Sequence, residues 1–103
     1  MIFNDIYIIS YLYRCGIYEA CAYENFDSTV KSEGNTLGTV HYSTVDQCKD
    51  HCNKKLSCKS FGYCPREKSG TCYLRDKKLS GSEETIKRDD GCYTVFLQCQ
   101  DGS

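Results

Sequence analysis

Residues Thr44–Phe61 read TVDQCKDHCNKKLSCKSF, which sets three cysteines in eleven positions among lysines. Thr44 can cap the first turn of a helix, and Gln47, three residues on, completes a capping-box pattern. Val45, Cys48 and Cys52 then share one helix face, while Lys49, Asp50, Asn53 and Lys54 point away from it. Cβ atoms one turn apart lie about 5–6 Å from each other. A disulfide needs about 3.5–4.5 Å, so Cys48 and Cys52 are expected to bond to two different strand cysteines. Two such bonds would clamp the helix onto a sheet.

Two chemical alternatives fit less well. A structural zinc site wants four ligands in paired short spacings such as C-x2-C. From Cys48 to Cys72 the intervening spacings are instead x3, x5, x5 and x7, with His41 and His51 as the chain's two histidines. Thiol redox chemistry uses C-x-x-C, which lowers the pKa of the attacking sulfur, and no cysteine pair has that spacing. Nucleophile elbows, H-E-x-x-H and phosphate-cradling glycine loops do not occur either. The expectation is a non-enzymatic chain with no catalytic residue, metal site or cofactor, in which cysteines act as staples.

The totals agree. One hundred and three residues suit a single domain. Nine cysteines in so short a chain mark a disulfide scaffold, which persists in secreted or extracellular surroundings and not in a reducing cytosol. Net charge is only −1, but basic residues concentrate in the middle. Nine of the thirteen (Lys49, Lys54, Lys55, Lys59, Arg66, Lys68, Arg75, Lys77 and Lys78) lie between residues 48 and 80. Acidic residues predominate on either side, which suggests an anionic partner for the middle.

Residues 1–20 contain a short apolar run, Ile6 to Tyr13, too short to span a bilayer as a helix. Asp5 stands where a secretory signal would carry positive charge, so the segment reads as a leader or signal-like extension of irregular type. Cys15 falls within it and is the natural odd cysteine, available for a disulfide dimer. Beyond it, CAYENFD (21–27) reads as a first strand, KSEGNTLG (31–38) as a polar loop and TVHY (39–42) as a brief strand. CKSFGYC (58–64), TCYL (71–74) and CYTVFLQC (92–99) are further β-prone runs. Phe61 and Tyr63 alternate about Gly62 and should pack under the helix. One helix with about five short antiparallel strands is an α+β pattern.

TVDQCKDHCNKKLSCKSFGYC, followed by TCYL, resembles the PAN/apple domain family, in a pattern similar to the N-terminal domain of hepatocyte growth factor. The shared features are a capped helix with C-x3-C, a cysteine followed by Lys-x-Phe, and a cysteine in a C-Tyr-Leu strand. The resemblance spans 21–99, leaving 100–103 as a tail, and implies five antiparallel strands wrapped around one helix. It implies the bonds Cys48–Cys72 and Cys52–Cys58, and, as in apple-type members, Cys21–Cys99 joining the domain ends. Cys64 and Cys92 remain as a fourth pair outside the common pattern, and exchanging the partners of Cys92 and Cys99 is the first alternative.

The same resemblance implies a non-catalytic extracellular module for protein–protein or protein–carbohydrate contacts, as in cell adhesion. It points to heparin-like sulfated glycosaminoglycan through His51 and Lys54, which match basic positions of the growth-factor site. The lysine-rich strand that completes that site is GTVHY (38–42) here. Lys49, Lys55, Lys59, Arg66, Lys68 and Arg75 supply further charge for an anionic glycan or an acidic protein, and nucleic acid is disfavoured by the compartment. A secreted inhibitor of the leech antiplatelet kind, or a matrix protein cross-linked through Cys15, are the alternative expectations.

Overall fold

The computed structural model describes residues 20–100. Leader residues 1–19, with Cys15, and tail residues 101–103 lie outside the described residues. Eight elements follow in order: β1 (Ala20–Asn25), β2 (Thr29–Val30), β3 (Thr36–Val40), α1 (Val45–Asn53), β4 (Ser60–Cys64), β5 (Thr71–Arg75), β6 (Thr85–Ile86) and β7 (Tyr93–Gln100). Five strands form an antiparallel sheet in the order β1-β7-β4-β5-β3, and β2 pairs with β6 as a separate ribbon. The α+β class and the five-strand count match the sequence reading.

The helix begins as its capping pattern dictates. Thr44 Oγ1 accepts from the Gln47 amide at 3.2 Å, and Gln47 Oε1 accepts from the Thr44 amide at 2.8 Å. Cys48 and Cys52 are fully buried and bring the helix down on one face of the sheet. There Phe61, Tyr63, Leu74 and Val95 form the core with Cys58 and Cys72. Period-2 alternation explains the selection: Phe61 and Tyr63 of β4 point to the helix, and Ser60, Gly62 and Cys64 point to the opposite face. Burying a ring such as Phe61 contributes on the order of 2–3 kcal/mol. A smaller cluster of Val30, Leu79 and Phe96, joined by Phe26 at 5.0 Å between ring centroids, covers part of that opposite face.

Four disulfides are present among the described residues: Cys21–Cys99, Cys48–Cys72, Cys52–Cys58 and Cys64–Cys92. Cys48–Cys72 ties α1 to β5, as expected of a clamp. Cys52–Cys58 is the pairing the resemblance implies; Cys58 lies two residues before β4, so the bond closes the turn leaving the helix. Cys21 and Cys99 face each other in the β1–β7 ladder.

One local reading is corrected. β3 starts at Thr36, inside the stretch expected as loop, and ends at Val40, before His41 and Tyr42. Pairing with β5 through a register shift between Thr36 and Gly38 overrides the weak strand preference of T-L-G-T. The β2–β6 ribbon, two residues a side, carries too little pattern to be seen in sequence.

Candidate functional site

The expected basic residues separate into three places. The first is the C-terminal end of α1. Lys54 caps the helix with its amide on Asp50 O at 3.2 Å, and two further turn bonds, Lys55 N to Cys52 O at 3.1 Å and Cys58 N to Lys55 O at 3.0 Å, carry the chain round. The Cys52–Cys58 bond locks this turn, which contains Lys54 and Lys55 and has His51 just before it and Lys59 just after it. Lys59 is held by its backbone, donating to Arg75 O at 3.0 Å and accepting from Leu97 N at 2.9 Å. Lys55 lies along β3: a Cβ built on Gly38 would be 3.8 Å from Lys55 Cε. The turn at the helix end thus brings Lys55 beside the edge strand β3.

Lys49 sits one turn earlier and is more enclosed. Its ammonium lies 3.7 Å from Asp46 Oδ1 and 5.8 Å from the Tyr23 ring centroid. Tyr23 of β1 anchors this part of the helix, donating from its hydroxyl to Asn53 Oδ1 at 2.6 Å and to the Lys49 carbonyl at 3.3 Å.

Arg66 and Lys68 belong to the second place, the β4–β5 turn. β4 has five residues, about 16 Å of strand, and Lys59 precedes it whereas Arg66 follows it. Arg66 Nη1 donates to the Asp89 carbonyl at 3.2 Å. Lys68 has a positive φ of 45° and accepts the Tyr42 amide at 3.2 Å on its carbonyl, next to the exposed Tyr42 side chain.

Arg75 occupies the third. It lies on the sheet face opposite α1, where its guanidinium contacts Glu33 Oε1 at 3.1 Å and Thr36 Oγ1. Sequence reading missed what surrounds it: Glu33, Glu67, Tyr73 and Arg88 line a cleft with Arg75 over Gly62. Glu67 accepts the Tyr73 hydroxyl and thereby raises the Tyr73 pKa, with burial adding to the effect. The available signal was Gly62 itself, a glycine inside an otherwise regular strand.

All eight described cysteines are in disulfides, so none offers a thiolate to a metal or a substrate. No helix among the described residues is long and apolar enough to cross a membrane. A family model for the PAN domain matches residues 30–75. Residues 30–75 are thus similar to a PAN domain, in agreement with the PAN/apple resemblance of the sequence. The match runs from β2 to β5 and takes in the capped helix with the Cys48–Cys72 and Cys52–Cys58 bonds. Nothing among the curated proteins or the solved structures matches the chain. PAN domains are non-catalytic modules that bind protein or carbohydrate, and a disulfide-rich PAN domain is consistent with an extracellular setting.

Proposed function

We propose that this chain is an extracellular recognition module of the PAN type without enzymatic activity. It binds an anionic, sulfated glycan through the corner formed by His51, Lys54, Lys55 and Lys59. The reading is supported by the turn closed by Cys52–Cys58, which holds Lys54 and Lys55 between His51 and Lys59 in the chain and sets Lys55 beside β3. A pre-formed turn lowers the ordering cost of binding. The cations supply an attraction that salt weakens. The neutral strand 38–42, where the resembling growth-factor domain is lysine-rich, makes this a smaller footprint, to which Lys49 contributes from the preceding turn. Arg66 and Lys68, beyond the far end of β4, and Arg75, on the opposite face, are outside it.

The test is retention on a heparin column with salt elution. The native chain should elute above physiological salt, and the Lys54→Ala, Lys55→Ala, Lys59→Ala triple variant clearly earlier. Elution of both at physiological salt would remove the glycan reading and leave an acidic protein as the partner.

A further inference from the structure

The segment from Ser80 to Gly91, between β5 and β7, contains no buried residue. Its regular structure is β6, which meets β2 over two residue pairs, Thr29–Ile86 and Val30–Thr85. The Lys31 amide on Glu84 O at 2.9 Å and the exposed Lys31–Glu84 ion pair add to that ribbon. Lys87 and Arg88 follow it directly, and both are exposed. Opening this stretch takes no apolar side chain out of the core. Nicking of a folded chain tracks the population of such locally open states.

The chain has three pairs of adjacent basic residues, Lys54–Lys55, Lys77–Lys78 and Lys87–Arg88. The fold closes the first two to a protease cleft, which takes its substrate as an extended segment. Lys54–Lys55 lies inside the turn whose ends, Cys52 and Cys58, are held with Cα atoms 5.3 Å apart. Drawn out, that piece would span about 20 Å. Lys78 is followed by Leu79, which is 3% exposed and packs with Val30 and Phe96, so extension there would pull it from the core. The Lys77 carbonyl also accepts from Ser60 Oγ at 2.8 Å. Lys87–Arg88 carries neither restraint.

What holds Arg88 is a residue beyond the bond that follows it. Arg88 Nε donates to both Asp90 carboxylate oxygens at 3.2 Å, and its Nη2 donates to Oδ2 at 2.7 Å. Asp90 Oδ1 also accepts the Cys92 amide at 3.1 Å, which fixes the turn. An arginine-directed protease must seat the same guanidinium on a carboxylate of its own, so the fork competes with it.

A cut between Arg88 and Asp89 would leave the domain joined. Cys64–Cys92 and Cys21–Cys99 each link the two sides of that bond, and β7 stays between β1 and β4. The local change would fall on the cleft that Arg88 lines with Glu33, Gly62, Glu67 and Tyr73. Arg88 would end in a carboxylate and lose its covalent tie to Asp90.

We propose that the Arg88–Asp89 bond is a processing site for an endoprotease specific for paired basic residues, guarded by the Arg88–Asp90 fork. Hydrolysis adds one water across the bond: its hydroxyl goes to the Arg88 carbonyl carbon and its proton to the Asp89 nitrogen. The product is two chains held by two disulfides. This site is separate from the basic corner and does not depend on glycan binding.

The test treats the disulfide-intact chain with a subtilisin-like endoprotease specific for Lys-Arg pairs and, separately, with sparing trypsin, and weighs the products before and after reduction. The first product of each should be one species heavier by one water, which reduction splits into pieces ending at Arg88 and beginning at Asp89. It should keep the native amide spectrum outside the cut segment and the cleft. Arg88→Gln should abolish this product, and Lys87→Gln should slow the pair-specific enzyme about tenfold or more. Asp90→Asn should speed nicking of the folded chain about threefold to fivefold, as expected of an exposed ion pair, and change little in the reduced, unfolded chain. A first cut at any other basic residue would overturn the proposal, as would an uncut folded chain whose unfolded form is cut at Arg88. So would loss of the native spectrum on nicking, or a gain from Asp90→Asn that is absent in the folded chain or equal in the unfolded one.

Discussion

The Tyr63 hydroxyl, buried under the helix, donates to the Ser43 carbonyl at 2.8 Å. It joins the central strand β4 to the residue that leads into α1, and the Ser43 amide in turn donates to Gly70 O at 2.9 Å. Removing the hydroxyl leaves a buried carbonyl without that partner. Tyr63→Phe should therefore lower unfolding stability by about 1–2 kcal/mol in denaturant titrations, without loss of the fold. Gly70→Ala should cost more, about 3 kcal/mol or beyond. Its φ is +111°, and a Cβ there would lie 2.0 Å from Ser43 O, so backbone would have to move.

The capping box gives a milder test of the same junction. Thr44→Ala removes the acceptor of the Gln47 amide and should cost about 1 kcal/mol. Thr44→Ser keeps the acceptor and should stay within a few tenths of a kcal/mol of the native chain.

Glu83 predicts a pH dependence with a definite sign. Hydrogen bonds from the Ser80 amide, then the Gly81 amide and the Ser80 hydroxyl, lower its pKa from 4.5 to about 2. A folded-state pKa below the unfolded one contributes stability that is complete above about 4.5 and fades as pH falls toward about 2. The carboxyl of Glu83, followed by NMR, should titrate near the lower value. Glu83→Gln should flatten this part of the stability–pH curve, and an ordinary titration midpoint in the native chain would contradict the bonding described.

The disulfides should rank by the length of chain they close. Cys21–Cys99 spans 78 residues and Cys52–Cys58 spans 6. In the chain-entropy account these separations correspond to about 4.5 and about 2 kcal/mol. Paired Cys→Ala variants, compared by denaturant unfolding, should lose stability in that order. Equal losses would mean that native packing around the sulfurs, not loop closure, sets their contribution.

The parts of the fold legible in sequence are local or carried by cysteine spacing. Thr44 and Gln47 announce the helix start because a capping box is complete within four residues. Cys48 and Cys52 identify the buried face because they repeat with the helical period, and the family resemblance supplies their partners. The cleft was hidden for the opposite reason. Glu33, Gly62, Glu67, Tyr73 and Arg88 come from distant segments, and only the antiparallel register of β4 with β5 and the crossing segment bring them together. Arg75 shows the same limit: counted with the basic residues of the middle stretch, it pairs with Glu33 across 42 positions on the other face. β3 was half hidden because Thr36–Gly38 contains a glycine and a register shift, and its partner strand makes it a strand.

The central claim is that the corner at the end of α1 is the glycan-binding surface, and amide chemical-shift mapping with a short heparin oligosaccharide tests it most directly. The account predicts saturable shifts centred on His51, Lys54, Lys55 and Lys59, shrinking as salt rises, with Arg66, Lys68 and Arg75 little affected. Shifts centred on the Arg66–Lys68 turn, or no saturable shift at the helix end at low salt, would contradict it.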